Sequence, residues 1–207
     1  PGTDGLLVLS LVHILLKRKK IDLEYLQSFT NAPFLVNISS TDSNKGLFLK
    51  DKDGVPLVVD HLSGELKRFS DKGVKPSLTK SHSNQNGSFK TVFSLLTEKY
   101  LDDAYSPQLI APQCGLKEEQ ILSLAEEIAS TAFNKAIHID QDWIDFRGEK
   151  RSGFIGRPVS FHAMRGISAH SNGFQTCRAI HLLQIIIGSV DVPGGFRFKP
   201  PYPKPFG

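Results

Sequence analysis

Two polar turns hold the residue types that could do chemistry. One is Arg165-Gly-Ile-Ser-Ala-His-Ser-Asn-Gly173, set between a strand-like run at 158–163 and an apolar helical run at 173–187. Small and polar residues in that position leave backbone N–H groups unpaired and let a ligand approach closely. The helix that follows brings the positive end of its dipole to the same place. The pattern predicts a turn facing an anion such as a phosphate or nucleotide. The other turn is Pro1-Gly-Thr-Asp4, where Thr3 or Asp4 is an N-cap candidate for a second apolar helix at 5–16.

Other reactive side chains point to structure. Asp51-Lys-Asp-Gly54 has the opening of a calcium loop without the later ligands or the closing Glu, so it reads as a hairpin turn. His13 lies inside an apolar run with no second metal-binding side chain at helical spacing, which predicts a hydrogen-bonded core histidine. Cys114 and Cys177 have no CxxC partner and read as small buried residues. Glu118, Glu119, Glu126 and Glu127 form a solvated helix face. The basic residues at 17–20 suit a helix C-terminus. A net charge of +4 over 207 residues is too small and scattered for a nucleic-acid partner. The 40% apolar and 22% charged shares fit an ordinary folded domain. No apolar run is long enough for a membrane helix.

These turns must be positioned by the elements around them. The run 5–16 is apolar nearly all round, as in a helix buried on most faces. A short helix at 22–29 begins near Asp22, and a strand is expected at 34–38. Residues 39–90 turn polar and read as a β-hairpin-rich insertion on the surface, with short β pieces at 47–50, 57–60 and 65–69. Helical patterning returns at 91–101 and near Tyr105. The clearest amphipathic helix spans 115–129, with Ile121, Leu124, Ala125 and Ile128 as its stripe. A strand is expected at 136–139, then a polar, Gly-bearing stretch at 141–156 in which Trp143 is an anchor for packing or a partner. The last helix should turn Phe174, Cys177, Ile180, Leu183 and Ile187 to the core. It ends in the turn Asp191-Val-Pro-Gly-Gly195, and residues 196–207 form a Pro-rich exit. Strands interleaved with helices predict an α/β fold, an open mixed or parallel sheet with flanking helices, binding ligands outside the carboxyl ends of its strands.

In combination, Pro1-Gly-Thr-Asp-Gly-Leu-Leu-Val-Leu-Ser-Leu-Val-His13, Ile21-Asp-Leu-Glu-Tyr-Leu26 and Thr30-Asn-Ala-Pro-Phe34 resemble the large catalytic subunit of molybdopterin oxidoreductases. This is the dimethyl sulfoxide reductase and formate dehydrogenase group. The second half is similar to another stretch of the same family: Arg165 to Gly173, then Thr176-Cys-Arg-Ala-Ile180, then Gly188-Ser-Val-Asp-Val-Pro-Gly-Gly195. The likeness covers roughly residues 1–36 and 91–207. It implies an incomplete Rossmann-like cofactor-binding domain, and both ends read as cuts through a longer protein.

The resemblance implies a bis(molybdopterin guanine dinucleotide) cofactor carrying molybdenum or tungsten. Gly2, Thr3 and Asp4 would meet the nucleotide end of one pterin, where a carboxylate can accept two hydrogen bonds from the guanine edge. Arg165, Gly166, Ser168, Ala169 and His170 would lie near the pterin and metal. Arg165 would hold an anionic part of cofactor or substrate, and His170 would be a donor or a structural cap. Many relatives carry Gln where this chain has Ala169, and a Trp-x-x-Gly lead where it has His162-Ala-Met-Arg-Gly166.

The family's metal-ligating side chain and its [4Fe-4S] cysteines precede the first turn. They are expected upstream of Pro1, as is any export signal, so a cytoplasmic or periplasmic location stays open. Expected partners are a small-molecule substrate and an iron–sulfur electron-transfer subunit, together with a membrane anchor subunit. The second turn and the exit most resemble members acting on sulfur oxyanions in respiratory electron transfer. The alternative is a non-catalytic relative, as in the large iron–sulfur subunit of NADH dehydrogenase.

Overall fold

The computed structural model describes residues 2–39, 43–85 and 87–196. Pro1, residues 40–42 and 86 of the insertion, and all of the Pro-rich exit except Phe196 lie outside the described residues. The centre is α1 (Asp4–Lys17), which buries Val8, Leu11, Val12, Ile14, Leu15 and Leu16 around its circumference. Packed about it are α4 (Pro107–Cys114), α5 (Glu118–Ala129) and α7 (Gly173–Ile186). With Ile110, Ile121, Ala125, Ile128, Leu183, Ile186 and Ile187 they close one continuous core. Each fully buried Leu or Ile there contributes about 1.5–3 kcal/mol.

Polar anchors set the ends of the shorter helices. α2 (Leu23–Phe29) starts at Asp22, whose Oδ1 accepts from the Tyr25 amide at 2.9 Å. α3 (Val92–Tyr100) starts at Thr91, whose Oγ1 accepts from the Ser94 amide at 3.0 Å. His13 is the core histidine its surroundings in the sequence predict: it is buried, and its Nδ1 lies 2.9 Å from the Tyr100 carbonyl. After α5 the chain takes a π-helical turn, Ser130–Asn134.

Strand pairing among the described residues is antiparallel. β1 (Leu35–Asn37) pairs with β5 (Gly87–Thr91), which also pairs with β4 (His82–Asn84). β2 (Leu57–Val59) and β3 (Leu66–Arg68) form a hairpin. β6 (Ile137–Ile144) and β7 (Lys150–Gly156) form another, with a register shift between Ile139 and Asp142. The fold is therefore mixed α/β, built from helices and small antiparallel sheets. The open parallel sheet is not among these pairings, and the parallel contact present is an isolated bridge between Val190 and Phe196.

Three local expectations need correction. Residues 158–163 form no strand, although Val159 and Phe161 pack on the main core, because no strand among the described residues pairs with them. The polar stretch at 141–156 is mostly the β6–β7 hairpin, and Trp143 packs internally: its Nε1 donates to Gly153 O at 3.0 Å and its ring stacks on Phe29. Phe174 is 73% exposed and Leu124 37%, so neither faces the core. The turn at Asp51 is the expected hairpin turn: Oδ1 accepts from the Asp53 and Val55 amides at 2.9 and 2.8 Å.

The insertion is tied to the rest by aromatic and cationic contacts. Phe69 stacks on Phe146 and meets Phe34 edge-on. The Arg147 guanidinium lies 4.4 Å from the Phe69 centroid and 5.0 Å from that of Phe146, and burial pulls its pKa down. Within the insertion, Val58 and Val59 are buried beside Asp60, a buried carboxylate. Its Oδ2 accepts from Lys67 Nζ and Ser63 Oγ, both at 2.9 Å, and its Oδ1 from the Lys75 amide at 3.0 Å.

The Lys67 ammonium, the Lys75 amide and Ser63 hold the Asp60 pKa well below the usual carboxylate range. A carboxylate depressed on folding stabilises above its unfolded value, about 3.9, and loses that contribution as the pH falls through and below it. Asp60→Asn should therefore lower the melting temperature at pH 7, and its deficit against the wild type should narrow below about pH 4. Thermal unfolding across pH 3–7 checks this, and a deficit independent of pH would count against it.

Candidate functional site

The two polar turns, far apart in sequence, meet in the fold. α1 and α7 pack start beside start and end beside end. At the first end, a Cβ on Gly5 would lie 3.0 Å from Thr176 Oγ1. At the other, the Asp22 amide donates to Ile186 O at 2.8 Å. The turns themselves are joined directly: Asn172 Nδ2 donates to the Gly2 carbonyl at 3.1 Å. The Cys114 thiol lies 3.7 Å from the Thr3 carbonyl on the inner side.

The first turn takes its shape from Gly2, whose φ of +83° is left-handed backbone that side chains resist. A Cβ there would meet nothing within 4 Å, so the side where it would project is open. Thr3 occupies the N-cap of α1 without a side-chain capping bond, and Asp4 is already the first helical residue. The Asp4 carboxylate is exposed, with no hydrogen bond or ion pair among the described residues. It therefore caps nothing, and its two oxygens face outward beside the positive end of α1.

The second turn begins with a single helical turn, α6 (Arg165–Ser168), in which Ser168 Oγ donates to Arg165 O at 2.9 Å. Arg165, Gly166, Ser168, Ala169 and His170 are all exposed, and a Cβ on Gly166 would meet open space. α7 then starts after Asn172, which makes no side-chain capping bond and instead turns its Nδ2 donor to Gly2. Gly173 is sterically required: a Cβ there would lie 2.2 Å from Ser168 O. That contact brings α6 back against the start of α7.

The structure thus sets Gly2, Thr3 and Asp4 beside the turn that holds Arg165, Gly166, Ser168, Ala169 and His170. Two 14-residue helices present their uncapped N-termini together there, an arrangement that favours an anionic ligand such as a pyrophosphate. Asn172 and Thr176 were not singled out by sequence. Their signal was available in the position of Asn172 just before a helix-opening Gly and in a hydroxyl among apolar helix residues. The exit turn is also fastened. Tyr25 Oη donates to Val190 O at 3.2 Å, and burial, with Asp191 and Asp22 nearby, raises the Tyr25 pKa.

Two adjoining helix N-termini in a mixed α/β fold make a candidate anion site, and comparison with known proteins gives its relatives. No family model matches the chain. A sulfite dehydrogenase subunit of Allochromatium vinosum is 35% identical across 99% of this chain, which corresponds to 22% of that protein. The formate dehydrogenase major subunit of Haemophilus influenzae is 26% identical over 94% of the chain and 16% of its own length. The nitrate-inducible formate dehydrogenase major subunit of Escherichia coli is 24% identical over the same shares. The chain is thus similar over nearly its whole length to molybdopterin oxidoreductase subunits, and it spans about a fifth of the length of the curated relatives it matches.

The close fit at Gly173 gives a direct test of how the second turn is held. Gly173→Ala should push α6 off α7 and cost about 1–3 kcal/mol, the usual range for overpacking. It should also loosen the turn, seen as faster amide hydrogen exchange at residues 165–172. An alanine variant with unchanged stability and exchange would show that the approach of Ser168 to Gly173 does not hold the turn.

Proposed function

We propose that this chain is part of the catalytic subunit of a molybdenum or tungsten oxidoreductase carrying bis(molybdopterin guanine dinucleotide). Its proposed task is two-electron redox of a small sulfur oxyanion. The observation that carries this reading is the Gly2–Asn172 link, which puts a free carboxylate and an exposed arginine turn at two adjoining helix N-termini. The likeness to the sulfite dehydrogenase of Allochromatium vinosum supports the substrate class.

The residues fit such a group. Asp4 has both oxygens available for the N–H edge of a guanine. The open faces of Gly2 and Gly166 let backbone approach a ligand closely. The paired helix ends suit its phosphates. When bound, the cofactor supplies the metal and the two-electron chemistry, while the protein orients it and tunes its surroundings. In this chain Gly2, Thr3 and Asp4 would grip the nucleotide end. Arg165, with Gly166, Ser168, Ala169 and His170, would line the side nearer the pterin and substrate. Ala169 offers no side-chain donor, so contact at that position falls to backbone.

The rest of a longer chain would supply the protein ligand to the metal, a [4Fe-4S] cluster, and strands that complete an open parallel sheet. The alternating run at 158–163, which packs on the core without a strand partner, is the natural place for such pairing. An iron–sulfur electron-transfer subunit would carry the electrons away, and a membrane anchor subunit would complete the assembly.

The full-length protein, purified without oxygen from cells able to make the cofactor, should contain molybdenum or tungsten with guanine nucleotide. Asp4→Ala should reduce the retained guanine nucleotide on the order of tenfold, since a hydrogen bond to a charged group is worth roughly 1.5–3 kcal/mol. Elemental analysis and nucleotide release by acid check both. Metal-free, nucleotide-free protein would favour a non-catalytic relative of the kind found in NADH dehydrogenase.

A further inference from the structure

A cleft of about 310 Å³ opens between α6 and α7, lined by Phe161, Met164, Arg165, Cys177, His181 and Gln184 among others, with no carboxylate among its described lining residues. Arg165 is exposed at this cleft, with no hydrogen bond or ion pair from its guanidinium among the described residues. Gln184 is the unusual member. It is 1% exposed, and neither Oε1 nor Nε2 has a partner among the described residues. Its backbone carbonyl, by contrast, accepts from both the amide and the hydroxyl of Ser189.

Burying an amide without partners is costly, and native interiors rarely leave one so. For packing alone, Leu or Met would serve at this position, since it is buried beside a lining that includes Phe161, Cys177 and Ile180. A polar group kept there asks for a polar occupant. The lining has a cation and no carboxylate, so the occupant is anionic.

We propose that Gln184 is a ligand-contacting residue of a small-oxyanion subsite, and that it selects the singly protonated form; this rests on the sulfur-oxyanion reading given above. A side-chain amide presents a donor and an acceptor side by side. A monoprotonated oxyanion presents the matching pair, an O⁻ for Nε2 and an O–H for Oε1. A fully ionised anion would instead set an oxygen against Oε1. Arg165 supplies the opposite charge, and Phe161 and Ile180 supply apolar wall.

Unreactive probes separate this from catalysis. Inorganic phosphate carries a proton at neutral pH and sulfate does not, so the full-length, cofactor-loaded enzyme should bind phosphate more tightly than sulfate by calorimetry. Gln184→Met should remove that preference, with phosphate affinity falling on the order of tenfold. Melting temperature in the absence of anions should stay level or rise, because an unpaired buried amide has been removed. Gln184→Glu, of nearly the same shape, should lose both anions. Unchanged discrimination in Gln184→Met, or a lower melting temperature with unchanged affinities, would overturn the assignment. If the preference disappears in Gln184→Met while sulfite is not turned over by the wild type, the subsite stands and the proposed substrate alone fails.

Discussion

Much of this fold is fastened by one largely buried ion pair. Asp22 Oδ2 accepts from Arg157 Nε at 2.9 Å and from Nη2 at 2.7 Å, with both side chains nearly out of solvent. The same aspartate caps α2 through Oδ1, and its amide donates to the end of α7. The arginine reaches onward: Nη1 donates to Ala132 O in the π-helical turn at 3.2 Å, and the guanidinium lies 4.7 Å from the Phe133 centroid. Four pieces of chain therefore converge, namely the start of α2, the turn after α5, the segment leaving β7 and the end of α7. Removing one partner of such a pair typically costs about 3–5 kcal/mol, because the other charge is left buried. Gly188 belongs to the same constraint, since a Cβ there would lie 2.8 Å from Asp22 Cβ.

Fixing one end of a helix pair has a consequence at the other. α1 and α7 share the main core along their length, so clamping the end of α7 through Asp22 and Arg157 sets how their starts align. Close-packed interiors transmit such placement with little slack. At the starts, Gly5 against Thr176 and Gly2 against Asn172 are contacts between small or backbone groups that tolerate little displacement. The polar turns are thus carried by rigid helices, while their own side chains stay exposed. A ligand cradle needs this division, with backbone fixed and polar groups left free.

The helices were legible because their apolar residues recur at helical spacing. Asp22 and His13 could be read from neighbours a few residues away. Of the β6–β7 hairpin only the strand start at 136–139 was legible: its residues alternate little in burial, most being exposed or half-buried, so polar side chains hid the rest. Residues 158–163 erred the other way. Val159 and Phe161 give a strand-like alternation, but a strand exists only with a neighbour to bond, and pairing is non-local. Phe174 was placed inward by periodicity near the first turn of α7, where the helix emerges from the core and its side chain stays outside. In the site, the two turns were visible as motifs, but their joining by Asn172 depends on how α1 packs on α7.

The buried polar groups show the same division of labour. Asp60 and Asp22 are each met by several donors within the chain, and such groups hold the fold together. The Asp145 carboxylate, buried at the β6–β7 turn, is another. Burial alone would raise its pKa, yet the amides of Glu149 and Arg147 and the Arg151 side chain together bring it below the usual range. Asp4, Arg165 and Gln184 differ, since none has a side-chain partner among the described residues and all belong to the two turns or to the cleft beside them. A chain that satisfies its buried carboxylates so fully elsewhere has the means to satisfy these too. Asp4 and Arg165 are solvated, but leaving the buried Gln184 amide without a partner costs stability that packing elsewhere offsets, and binding a ligand there gives that arrangement a physical reason.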